Sequence, residues 1–65
     1  MLALFKVSFA KDAAAFCSEN VLAADGLSAA QVANDEVQRQ YKKEKLIVSS
    51  IEMLGIVTLE ADRNA

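Results

Sequence analysis

Residues 11–25, KDAAAFCSENVLAAD, decide the fold, because the same letters support two structures. Read as a helix, Asp12 is the cap and Ala13, Phe16, Cys17, Val21 and Ala24 form an apolar stripe. The alanine run favours that reading locally. Read as a strand, Lys11-Asp12-Ala13-Ala14 is a turn, after which Cys17, Glu19, Val21 and Ala23 alternate with Phe16, Ser18, Asn20, Leu22 and Ala24. The turn lacks the Asn-Gly or Gly-X chemistry of a tight hairpin. Local physics alone therefore favours the helix by a small margin.

The flanking segments are easier to read. Upstream, residues 2–9 alternate, with Ala3, Phe5, Val7 and Phe9 on one face and Leu4, Lys6 and Ser8 on the other, which is a strand pattern. Downstream, residues 27–45 carry a helix start signal. Ser28 and Gln31 form a Ser-x-x-Gln capping box, and Leu27 and Val32 are spaced as a hydrophobic staple. Ala30, Ala33, Val37 and Tyr41 then follow at helical spacing, with acids (Asp35, Glu36) ahead of bases (Arg39, Lys42, Lys43, Lys45). Residues 45–54 read as a third strand with Ile47, Ser49, Ile51 and Met53 on one face. Gly55 is a break, residues 56–59 are a short last strand, and residues 60–65 are a polar, frayed end.

Composition narrows the function classes. Sixty-five residues make one small domain, expected to span 1–65. A chain of this size buries only about 60% of its unfolded surface. Small domains often gain stability from metals, disulfides or a partner subunit. With no His and one Cys, the first two are nearly excluded and no cofactor is expected, which leaves oligomerisation. At 54% hydrophobic residues the chain is too apolar for a disordered tail, and a net charge of −2 offers no general attraction to nucleic acid or anionic membrane. Lys6 interrupts the apolar start MLALFKVSFA, so neither a secretory signal nor a spanning helix is expected. The unpaired thiol suits the cytoplasm.

The residues Phe5-Lys6-Val7-Ser8-Phe9, Val21-Leu22-Ala23-Ala24-Asp25, Ala30 with Ala33, Val48-Ser49-Ser50-Ile51-Glu52 and Leu54-Gly55-Ile56-Val57 carry a resemblance. Together they look like small proteins of unknown function common in phages and other mobile elements, which run β-β-α-β and often add a short last strand. The resemblance implies an α+β fold, a small antiparallel sheet covered on one face by one amphipathic helix, and so selects the strand for residues 11–25. It also implies a host-cytoplasmic or virion accessory protein, and brings no catalytic residue with it. The alanine run at 13–15 departs from the turn formers that such a hairpin wants.

A second resemblance competes. Phe5-Lys6-Val7-Ser8-Phe9 is similar to the DNA-reading ribbon of ribbon–helix–helix repressors, and Gly26-Leu27-Ser28 to the turn before their second helix. That family would place Lys6, Ser8 and Leu4 in the major groove of DNA from a dimer. A single ribbon lysine, an acidic chain and about 20 further strand-like residues stand against it.

Catalytic constellations are missing. Without His there is no Ser–His–Asp or Cys–His arrangement, and two glycines make no phosphate cradle. The carboxylates have no metal-loop spacing, and Cys17 reads as a small buried hydrophobe beside Phe16 or Val21. Arg39, Lys42, Lys43 and Lys45 form a candidate basic patch for phosphate or an acidic protein, although complementing a helix C-terminus is the simpler account. One helix can cover one sheet face only. The other face would present Leu4 with Leu46, Val48 and Leu54, a candidate interface for a homodimer or another protein. The expectation is therefore a non-enzymatic protein-binding module, with a dimeric DNA-binding regulator as the alternative.

Overall fold

The computed structural model describes residues 1–57 of the chain. The elements run β1 (Leu2–Lys11), β2 (Ala14–Ala23), α1 (Gly26–Gln40) and β3 (Ile47–Val57). The strands form one antiparallel sheet in the order β2-β1-β3, with α1 across one face. This is the ββαβ α+β architecture, and residues 11–25 resolve as turn and strand. The ribbon–helix–helix arrangement is not adopted. It needs a helix where β2 lies, and β1, paired on both edges, has none left for a ribbon with a second copy.

The hairpin forms because its apolar pattern outweighs its turn chemistry. Asp12 and Ala13 both take positive φ (54° and 65°), the two-residue turn whose twist matches the strands. Alanine is strained there, but the register it allows places Val21 opposite Phe5 and Cys17 opposite Phe9 on the helix side. A bulge at Phe16 ends the alternation and turns that ring edge-on against Tyr41, with centroids 5.1 Å apart.

The helix starts earlier than the capping box implies. Asp25 is the cap: its Oδ1 accepts from the Ser28 N–H at 2.8 Å, and its carbonyl accepts the first helical bond from Ala29 at 3.0 Å. Leu27 and Val32 are exposed and form no staple. The buried stripe is Ala29, Ala33 and Val37, with Ala30 and Tyr41 half-buried. It packs on Ala3, Phe5, Val7 and Phe9, with Val21 and Cys17 at the margin. The helix also stops sooner, at Gln40. At about 100° per residue, a continued helix would carry Leu46 roughly half a turn away from the Val37 stripe. Ending at Tyr41 lets Leu46 turn back into the core, where it is 6% exposed.

The third strand departs most from simple alternation. Gly55 is no break, and β3 runs through it to Val57, so residues 56 and 57 end β3 and start no new strand. The rest of the expected last strand, and the polar end at 60–65, lie outside the described residues. Ser49 and Leu54 are each an extra residue against β1. These two bulges set Val48, Ile51, Met53 and Ile56 opposite Phe9, Val7, Phe5 and Ala3, all on the helix side.

Candidate functional site

The four helix-side residues of β3 form the site. A helix is roughly 10 Å across and strands repeat at about 4.8 Å, so one helix covers about two strands. Here α1 starts over Phe5 and Ile51, where a Cβ on Gly26 would lie 3.5 Å from Ile51 Cγ2, and it packs most heavily on β2. The flank of β3 stays open. Val48 is 38% exposed, Ile51 43%, Met53 57% and Ile56 58%. Beside them, Ala3, Phe5, Ala24, Met53 and Ile56 line an apolar recess of about 170 Å³ that opens to solvent. Among the described residues the outer edge of β3 also has no strand beside it.

The interface expected from the sequence is not assembled as a single patch. Leu46 lies in the core, and the Ser49 bulge carries Val48 to the helix side. Leu54 is an exposed bulge residue, and Leu4 is half-buried between Leu22 and Gly55. The middle of the helix-free face is polar: Lys6 pairs in register with Asn20 and Glu52, and Ser8 with Ser18 and Ser50. The apolar surface is thus on the helix side of β3. Bulge-free alternation groups Ile51 and Met53 on one face with Ile47 and Ser49; the structure keeps Ile51 and Met53 together on the helix side but leaves both exposed. The width of one helix against three strands is the signal that would have exposed them.

The basic residues separate as well. Arg39 is in the last helical turn, 3.5 Å from Glu36, and Lys42, Lys43 and Lys45 lie beyond the helix in the exposed connection to β3. Within that connection Glu44 binds Lys11 at the end of β1, and this hydrogen-bonded pairing holds the Lys11 ammonium above its ordinary pKa. The pair fastens the connection to the hairpin and places an acid among the bases. Cys17 is half-buried on the helix side of β2, and burial, with Glu19 nearby, pushes its thiol up, away from the reactive thiolate. Among the described residues no cluster of three metal-ligating side chains exists, and no helix is long and apolar enough to cross a membrane.

No family model matches this chain, and neither curated proteins nor solved structures give a match.

Proposed function

We propose that this chain is a cytoplasmic, non-catalytic protein-binding module whose binding surface is the open flank of β3. One observation carries the reading: an eleven-residue strand without a single buried side chain, apolar on the side where a second layer would sit. Val48, Ile51, Met53 and Ile56 expose on the order of 400 Å² of contiguous apolar surface, comparable with the largest patch on an ordinary monomer. At ~25 cal/mol per Å², covering it would contribute on the order of 10 kcal/mol before association costs. The resemblance to small phage and mobile-element proteins makes a host factor or a virion component the class of partner this reading expects.

The test is site-specific photocrosslinking in cells. A photoreactive residue at Met53 should join the chain to a protein, while the same residue at Asn20, on the polar face, should not. Equal adducts from both positions, or none from Met53, would remove the reading.

A further inference from the structure

We infer that the partner on this flank is a second copy of the chain, joined edge to edge along β3 about a two-fold axis at Glu52. The inference rests on the protein-binding reading and names its occupant. Three features of the strand point to it.

The first is symmetry in the sequence of β3. An antiparallel pair about a two-fold axis at residue 52 sets each residue opposite its mirror position. The helix-side residues Ile51 and Met53 are one position either side of Glu52, and Val48 and Ile56 are four either side. Ile51 then meets Met53 of the partner subunit, and Val48 meets Ile56 of the partner subunit. Each apolar side chain finds an apolar side chain, and the bulges at Ser49 and Leu54 are what keep all four on one face. A heterologous partner would require no such symmetry.

The second feature is the edge itself. Natural edge strands are blunted by charge, proline or shortness. β3 is the longest strand, contains no proline and carries one charged residue, Glu52. β2 also lacks proline and carries one charge, but that charge, Glu19, sits mid-strand in the polar run Ser18-Glu19-Asn20. The third is area. Pairing the two edges buries the main-chain edge together with the facing sides of both flanks, so the seam is larger than that of a bare strand pair. The product is a six-stranded sheet, β2-β1-β3-β3-β1-β2, with both helices on one face and the four apolar pairs as a floor between them.

Glu52 faces its own copy at the axis on the opposite face, next to its register neighbour Lys6. Like charges directly opposite weaken a strand pair. Glu52→Gln should therefore tighten the dimer by about two- to five-fold, and Met53→Lys should loosen it at least about ten-fold with an unchanged circular dichroism spectrum.

Sedimentation equilibrium of the wild-type chain should give twice the 7.0 kDa chain mass. In a Cys17→Ala background, Glu52→Cys should form a disulfide-linked dimer on mild oxidation, because the two thiols meet at the axis, and Asn20→Cys should not. A monomer at about 100 µM, or a dimer that links through Asn20→Cys and not through Glu52→Cys, overturns the inference. A monomer that still gives a Met53 photoadduct with another protein overturns only the identity of the partner. No Met53 adduct of any kind overturns the binding reading as well.

Discussion

β2 and β3 flank the same central strand and face the same helix, yet they have opposite fates. On β2 the helix-side positions Cys17, Glu19, Val21 and Ala23 are half-buried or buried, while on β3 nothing between Ile47 and Met53 is buried. Hydrophobicity does not explain the difference, since β3 is the more apolar strand. Coverage does. The helix is tethered to the end of β2 by a two-residue connection and packs most heavily on that strand. The helix buries only the sheet positions beneath it, so the apolar side chains of the third strand stay exposed although the strand is fully paired with β1.

The comparison is broken most directly by truncating matched core and flank residues. Phe9 is 1% exposed between the two flanking strands, and Phe9→Ala should cost about 3–5 kcal/mol. That is most of the stability a domain this small holds, so the variant should be largely unfolded by circular dichroism at ambient temperature. Ile56→Ala, on the open flank opposite Ala3, should cost less than about 1 kcal/mol in the monomer. Comparable losses from the two, measured by urea denaturation at a concentration too low for association, would mean that the flank is already covered within one chain.

A smaller effect sharpens the helix side of the comparison. Ala33 is fully buried in the stripe, and the short side chains of Ala29 and Ala33 let the helix sit close to Val7 and Phe9. Ala33→Leu inserts volume with no space to receive it and should cost about 1–3 kcal/mol. An unchanged thermal midpoint would show that the stripe does not face the sheet.

The sequence was legible where one physical rule acts alone and misleading where two rules compete. Period-two alternation placed β1 and its inward face, and the same alternation was already present at Cys17, Glu19, Val21 and Ala23 in β2. The competing helix stripe arose because alanines at 13–15 fit either structure. Two caps were also available three residues apart: Asp25-x-x-Ser28 and Ser28-x-x-Gln31. The aspartate prevails, and its charge at the positive helix end is a reason. Leu46 and Val48 could not be placed from pattern alone. Their faces depend on where the helix stops and on the Ser49 bulge, both set by tertiary fit rather than by local residue type.

The hairpin turn offers a gain in place of a loss. Ala13 holds φ of 65°, a region that costs a residue with a Cβ roughly 1–2 kcal/mol and glycine almost nothing. Part of that is offset by the greater freedom of glycine in the unfolded chain. Ala13→Gly should therefore stabilise the fold by about 1 kcal/mol, seen as a higher urea midpoint with an unchanged slope. A loss of stability would show that residues 11–14 do not form this turn. Asp12 has the same backbone sign but is a residue type that tolerates it, so Asp12→Gly should gain less.

The smallest effect belongs to the helix cap. The Asp25 carboxylate is held below its ordinary pKa chiefly by the backbone hydrogen bond from Ser28. A carboxylate whose folded pKa lies below its unfolded value stabilises the fold fully only above the unfolded value, about 3.9. That contribution fades as pH falls through the folded pKa, because protonation then removes the charge that the helix end favours. Asp25 is exposed at the surface, so water screens the interaction and the change is small. The wild-type thermal midpoint should thus drop slightly between about pH 5 and pH 3 by a component that Asp25→Asn lacks, since the amide still accepts the Ser28 bond at every pH. Superimposable pH profiles for the two proteins would remove Asp25 as the charged cap and return the role to Ser28.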